Sequence, residues 1–361
     1  MSTPDRDADA SPAAPSGRSD RWLGAALALL ALAGVFAVGR NLDWHQTWRA
    51  LAELGGHAPL VVMVYFLVLS CDTLGWRYTF ERPSQLRFWR LWRVRIATEA
   101  VSNSLPAGPA LAETVKAVLL QRRFGLSLAE AGANVVIAKF ALAISQALFL
   151  ITALLCVVPA LRASSNQLLG GPGLEWIAFG IAFVFLAVVS LASWAVVRGQ
   201  LLGRLLQSCA RWGSERTRAR LARWSPIAER IDHALGAVSR MPRRRTLQAI
   251  GLFFLGWTCL GLENYVILSL LSSEVSFMQA FSMEALLSIV RILFFFVPSA
   301  LGAQEAGYYL VLRAYGIEQP EVIAAAFMVA KRTKELIWIA AGYATLSSLH
   351  VHVGDRPIAR A

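Results

Sequence analysis

Long apolar runs constrain this sequence more than any other feature. A helix needs about 20 apolar residues to cross a hydrocarbon core of about 30 Å, and six runs reach or approach that length. They cover 22–38, 58–76, 127–158, 174–197, 246–271 and 321–349. Only 16% of the residues are charged, against about a quarter in soluble domains. We therefore predict an all-α, polytopic integral membrane protein with about six full spans.

The distribution of arginine predicts how the chain is oriented, because cytoplasmic loops of membrane proteins are enriched in basic residues. The loop at 198–245 has twelve arginines against three acidic residues, and six more arginines lie within 77–95. We place both regions in the cytoplasm, together with a disordered tail at 1–20 and a second tail at 351–361. The weakly basic loops are predicted outside: 39–57, 159–173 and 272–284.

Two further apolar segments, 91–120 and 281–315, are interrupted by proline and glycine. The sides predicted for the loops agree with one another only if each segment enters and leaves the membrane on the same side. The first segment would enter from the cytoplasm and the second from outside. Broken helices are tolerated in membranes where protein or a wet cavity satisfies the freed backbone groups. We therefore predict two re-entrant helical hairpins. Their tips are expected at Pro106, Gly108, Pro298 and Gly302.

The two interrupted segments also share a short sequence pattern. In LPAGPALAET and VPSALGAQEA a glutamate, Glu113 or Glu305, follows seven residues after a proline. Each segment then continues through a glycine to a long apolar helix containing Ala-Lys. Because the two segments enter the membrane from opposite sides, we predict that the units 91–158 and 281–349 form an inverted repeat. Many secondary transporters are built this way and bind substrate at the repeat interface.

Lysine is confined to these two units, whereas every other basic side chain is arginine. A charge near the bilayer centre costs a few kcal/mol and has to face a partner or a cavity. We predict that these lysines and nearby carboxylates bind a lipid head group: Glu113, Lys116, Lys139, Glu305, Lys331 and Lys334. Their expected charge partners are Glu99, Arg291, Arg332 and Glu335, with Arg291 paired across the repeat to Glu99 or Glu113. Simple ion pairing without a ligand is the alternative.

Other kinds of site find no support in the sequence. All five histidines lie in predicted loops or the tail, the cysteines have no paired spacing, and no phosphate-binding glycine loop is present. The basic loop fits the positive-inside rule and contact with anionic lipid better than nucleic-acid binding. We predict no cofactor, no metal and no nucleic-acid partner.

Residues 102–120 and 297–317 resemble the transmembrane domain of lysylphosphatidylglycerol synthase and its flippase-like relatives. The resemblance extends over about 22–349, and the second stretch is most similar to members associated with hopanoid biosynthesis. It implies a single transmembrane flippase-like domain over 21–350 that moves a lipid between leaflets. The chain has fewer glycines than the family pattern at Pro298-Ser299-Ala300 and Leu111-Ala112-Glu113, which indicates a stiffer hairpin tip.

Three functions follow from these observations. The first is a flippase for a phospholipid, hopanoid or polyprenyl-type lipid in a bacterial inner membrane, either passive or coupled to ions through a carboxylate such as Glu305 or Glu263. The second is a membrane-embedded lipid-modifying enzyme using Glu113 and Lys116. The third is a non-catalytic partner of a lipid-synthesis complex. No soluble run is long enough for the aminoacyl-transfer domain of the synthase, so we expect no enzymatic activity.

Overall fold

The structure is a computed structural model. It describes residues 49, 52, 55–105, 108–169, 173–197, 242–271, 275–293 and 302–350. Several predictions lie outside the described residues: both tails, the first apolar run at 22–38, nearly all of the basic loop, and the prolines Pro106 and Pro298.

Within the described ranges the chain forms nine α-helices and no strand, which confirms the all-α prediction. The helices are α1 (Ala58–Tyr78), α2 (Phe88–Ser104), α3 (Gly108–Phe124), α4 (Leu128–Leu169), α5 (Leu174–Val197), α6 (Arg243–Leu271), α7 (Phe277–Leu293), α8 (Ala303–Ala314) and α9 (Pro320–His350). Two short 3₁₀ helices, Gly55–His57 and Pro83–Gln85, lie beside α1 and α2.

Three stretches among the described residues are long and apolar enough to cross a membrane: Gly55–Tyr78, Leu128–Cys156 and Arg243–Leu271. In α5 the shorter stretch Phe179–Trp194 is apolar as well. The helix α9 has 31 residues, but four charged side chains lie near its middle. The chain is therefore a membrane protein, and the number of six full spans stays a prediction.

Both interrupted segments consist of two helices that pack against each other, α2 with α3 and α7 with α8. The first connection is tight, since the Gly108 amide donates to the Leu105 carbonyl at 2.9 Å. A Cβ added to Gly108 would lie 2.1 Å from the Ser102 carbonyl oxygen, so only glycine fits there. The helix α8 begins directly after Gly302, which has a φ of +81°. Thus α2 ends at Ser104, α3 begins at Gly108 and α8 begins after Gly302, whereas both prolines lie outside the described ranges.

Glycine also ends the second helix of each segment. Gly125 follows α3 with a φ of +68°, and Gly316 follows α8 with a φ of +73°, a conformation that costs glycine little. Next to the first turn, Leu126 packs in an apolar cluster with Trp76, close to the C-terminal end of α1. Next to the second turn, Ile317 packs in a cluster with Val61, close to the N-terminal end of α1. The two turns therefore lie at opposite ends of a helix that is about 30 Å long.

Glycine residues allow two pairs of helices to cross at short distance. Where α9 crosses α2, a Cβ on Gly342 would lie 2.6 Å from the Ala100 Cβ and 2.6 Å from the Ile96 carbonyl oxygen. Where α1 crosses α6, a Cβ on Gly75 would lie 3.1 Å from the Phe253 ring. Membrane helices associate through such close packing rather than through hydrophobic burial. These glycines therefore fix the distance between the helices that bear the buried charges.

We expect Gly342→Val to destabilise the protein by about 1–3 kcal/mol, the range for forcing extra atoms into a packed interface. Its matched control is Gly251→Val on α6, where an added Cβ has nothing within 4 Å. Thermal unfolding of both variants in detergent measures the difference. Equal melting temperatures would contradict the tight α2–α9 crossing.

Candidate functional site

The first cluster of buried charge, which we call the first hairpin cluster, consists of Glu113, Lys116 and Lys139. Glu113 and Lys116 lie one turn apart on α3, and Lys139 comes from α4. The Glu113 carboxylate accepts hydrogen bonds from Lys116 at 2.9 Å and from Lys139 at 3.0 Å. The Lys139 side chain is 54% exposed, and that of Lys116 only 14%. Lys139 is therefore the lysine of this cluster that a ligand meets first.

The second hairpin cluster consists of Glu305, Arg332 and Glu335. Arg332 on α9 donates to Glu305 at 2.9 Å and to Glu335 at 2.6 Å. The other oxygen of Glu305 accepts the Gly302 amide at 2.6 Å, so the carboxylate caps its own helix. A helix N-terminus attracts negative charge. At the start of α8 the Glu305 carboxylate supplies that charge and accepts the free Gly302 amide.

The two hairpin clusters correspond in sequence spacing. Glu113 binds a lysine 26 residues further along the chain, and Glu305 binds an arginine 27 residues further along. In both cases the base lies on the long helix that follows the glycine turn. The contact therefore ties the hairpin to the next long helix in each half of the chain.

The central cluster consists of Glu263, Glu284, Arg291, Lys331 and Lys334. Lys334 donates to Glu263 at 2.9 Å, and Arg291 pairs with Glu284. Lys331 lies between the two carboxylates, 3.5 Å from Glu284 and 3.8 Å from Glu263. Both carboxylates are fully buried. Three cations thus meet two carboxylates, which leaves one positive charge in excess.

Aromatic rings surround the two lysines of the central cluster. The Lys331 ammonium lies 5.4 Å from the Phe327 ring centre and 5.6 Å from that of Tyr308. The Lys334 ammonium lies 3.8 Å from the centre of Tyr65. Each desolvated cation–π contact stabilises the ammonium by about 2 kcal/mol. The rings therefore offset part of the cost of removing these cations from water.

A fourth group, the α2 triad, consists of Asp72, Arg95 and Glu99. Arg95 contacts Asp72 at 2.9 Å and also pairs with Glu99. The Tyr65 hydroxyl donates to Glu99 at 2.5 Å, and the Tyr65 ring is the one that Lys334 faces. The triad therefore lies next to the central cluster.

The four groups are neighbours in the bundle, and we call them together the charged path. The Lys116 ammonium is attracted by Asp72 and repelled by Arg95, which places the first hairpin cluster beside the α2 triad. Arg291 interacts with Glu335, which connects the central cluster to the second hairpin cluster. Groups of charged side chains therefore lie side by side in the bundle from α3 to α8.

Several pairings differ from the sequence predictions. Arg291 was expected to pair with Glu99 or Glu113, but it pairs with Glu284, and Glu99 pairs with Arg95. The reason is local, because both pairs form between residues of a single helix. Asp72 lies one turn from Arg77, and this spacing predicts a local salt bridge; the Arg77 Nε instead donates to the Pro83 carbonyl at 2.8 Å.

The sequence predicts loop positions for two charged residues that lie inside helices in the structure. Glu284 was placed in the outside connection 272–284, and Arg95 in a cytoplasmic basic region. The structure places Glu284 inside α7 and Arg95 inside α2. Helical spacing was the available signal, since Arg95 and Glu99 are four residues apart and Glu284 and Arg291 are seven apart.

The six predicted head-group residues are divided among three of the four groups. Glu113, Lys116 and Lys139 share one cluster, Glu305 belongs to another, and the lysines of α9 lie in the central cluster. Among the described residues, no group of three or more His, Cys, Asp or Glu side chains could hold a metal ion. A head-group-binding role for these residues stays a prediction.

We expect Glu263→Gln to destabilise the protein by about 3 kcal/mol, because removing one partner of a buried pair leaves an uncompensated charge. Replacing both Glu263 and Lys334 by leucine should cost less than the single change, since no unpaired charge then remains from that pair. Denaturation in mixed micelles measures both effects. The control is Glu318→Gln at an exposed position; an equal effect there would contradict the prediction.

Comparison with known proteins agrees with a membrane role. Residues 21–333 match the sequence profile of the family described as the lysylphosphatidylglycerol synthase TM region. A comparison with curated proteins finds no match.

Proposed function

Because the chain belongs to the family of the lysylphosphatidylglycerol synthase TM region, and so has a role connected with membrane lipids, we propose that it moves a lipid with an anionic head group between leaflets. The membrane is that of a bacterial cell, with both termini in the cytoplasm. Assignment to the hopanoid-associated branch stays a prediction.

The observation that supports this proposal most is the path of charged side chains through the bundle. Each buried ion costs several kcal/mol to desolvate, and apolar residues of similar volume would often stabilise a helix bundle better. Charged residues within membrane segments are therefore a sign of function. A head group that crosses the bilayer needs such a path, because its phosphate cannot enter hydrocarbon without a partner.

Exchange of partners explains how a phosphate can use this path. A phosphate that approaches Lys139 replaces Glu113 as the partner of the lysine, while Lys116 continues to neutralise that carboxylate. Arg291, Lys331 and Lys334 of the central cluster are the next cations that can act as partners of the phosphate. No ion is left without a partner at any stage, so the barrier to movement stays low.

We infer an inverted repeat as the framework for this path. Four observations support it: the same order of helices, the glycine turns with positive φ, the spacings of 26 and 27 residues between paired charges, and turns at opposite ends of α1. Inverted repeats bring two related halves together around a central substrate site. Here α2 of the first unit packs against α9 of the second, and the Tyr65 side chain lies between Glu99 of the α2 triad and Lys334 of the central cluster.

The enzyme alternative gains no support from the geometry. A general base has to accept a proton from substrate, and Glu113 is held between two ammonium groups at 2.9 and 3.0 Å. A lipid-modifying reaction would require that carboxylate to leave both partners. Detection of a modified lipid dependent on the protein would restore this alternative.

Reconstitution into vesicles tests the transport proposal. We expect the protein to accelerate the transbilayer movement of a fluorescent phosphatidylglycerol, measured by quenching from outside. Lys139→Gln should reduce the rate about tenfold, the effect of about 1.4 kcal/mol in a barrier, and Lys139→Arg should retain most of it. The exposed control Arg244→Gln should have no effect. If no anionic lipid moves faster than in empty vesicles, the proposal is wrong.

Labelling from the two sides of the membrane tests the inverted repeat. Single cysteines are introduced by Ser127→Cys and Glu318→Cys, next to the two glycine turns, in a variant whose four native cysteines are serine. We expect an impermeant maleimide to label the first position only from the cytoplasm and the second only from outside. Labelling of both from one side would contradict the opposite orientation of the two units.

A further inference from the structure

A cavity separate from the charged path lies between α3 and the end of α9. Its volume is about 240 Å³, and most of its wall is apolar, with Val118 and Leu119 on one side and Leu346 and Leu349 on the other. Pockets for whole small molecules usually measure about 300–1,000 Å³. The cavity therefore suits part of a flexible hydrocarbon chain better than a compact ligand.

Arginine side chains form the polar edge of this cavity. Arg122 and Arg123 line it from the last turn of α3. The Arg123 guanidinium donates to the Leu349 carbonyl, and Arg93 of α2 donates to the Ser348 hydroxyl at 2.9 Å. The described residues that line the cavity thus have two positive charges and no negative one. An apolar wall beside two guanidinium groups matches the two parts of an anionic lipid.

We propose that this cavity is a binding site for an anionic phospholipid, with one acyl chain against Val118, Leu119, Leu346 and Leu349 and the phosphate on Arg122 and Arg123. Guanidinium groups bind phosphate through paired N–H donors, and Arg123 has five such donors, of which the Leu349 contact uses one. The basic end of α3 lies beside the C-terminal end of α9, as expected at the anionic inner leaflet.

The bound lipid joins three helices at one end of the bundle. Arg93, Arg123 and the end of α9 already connect α2, α3 and α9 there, and a phosphate adds a shared partner for the arginines. The lipid is therefore a resident ligand that stabilises the first hairpin against α9. This proposal does not rest on transport, because none of the four lysines lines the cavity.

Native mass spectrometry of the full purified chain tests the site, using phosphatidylglycerol and phosphatidylcholine with identical acyl chains. We expect phosphatidylglycerol to be retained about tenfold better and to raise the melting temperature. The double variant Arg122→Gln, Arg123→Gln should lose this preference. Val118→Phe, which fills the apolar part, should weaken retention of phosphatidylglycerol while both arginines remain.

The matched control is Arg243→Gln, Arg244→Gln, which removes two neighbouring exposed arginines from the start of α6. It should retain phosphatidylglycerol as the wild type does. An equal loss in this control would show general surface attraction and overturn the site. Equal retention of phosphatidylglycerol and phosphatidylcholine would also overturn the site. Full competition by inorganic phosphate would overturn it too, since a free anion would then be enough to occupy the site. Transport of a lipid by the double variant leaves the proposal of this site unaffected.

Discussion

The pairing of buried ions is the constraint on which the rest of this structure depends. Glu263 and Glu284 are fully buried, and each is neutralised by bases that come from α9 or α7. Without these partners the carboxylates could not remain ionised in a low-dielectric interior. The helices that bear them must therefore approach closely, and Gly261 of α6, where an added Cβ would lie 3.0 Å from the Phe281 ring of α7, makes one such approach possible. Close packing and charge neutralisation thus require each other in this bundle.

Ion pairs also select which helices are neighbours. Glu113 and Lys139 join α3 to α4, Glu305 and Arg332 join α8 to α9, and Lys334 and Glu263 join α9 to α6. Hydrophobic contacts between helices in a bilayer give little preference for one neighbour over another, because lipid chains are equally apolar. A small number of charged contacts can therefore determine an arrangement that apolar surface alone would leave undetermined.

Sequence patterns predicted the helices better than the contacts between them. Apolar runs predicted the long helices, and Gly108 and Gly302 mark the starts of α3 and α8, because these residues act through the local backbone. The glutamate of each hairpin and its base on the next long helix were also anticipated as ion-paired residues. The ion pairs of Glu284 and Arg95 were not anticipated. Counting the charges of a loop does not show which of its charged residues are buried. The partner of Lys331 could not be derived either, because adjacent Lys331 and Arg332 point to different clusters and only the rotation of α9 decides between them.

The position of Lys331 has a consequence for how easily the bundle changes shape. Its ammonium is almost equidistant from two carboxylates on different helices, at 3.5 and 3.8 Å, and it also donates a hydrogen bond to the Tyr308 hydroxyl at 3.4 Å. A small rotation of the Lys331 side chain brings the ammonium to one carboxylate as it leaves the other. Arg332 and Lys334 keep their own carboxylates during this exchange, so the bundle can change the partner of one buried cation without breaking the pairs that hold α9 in place.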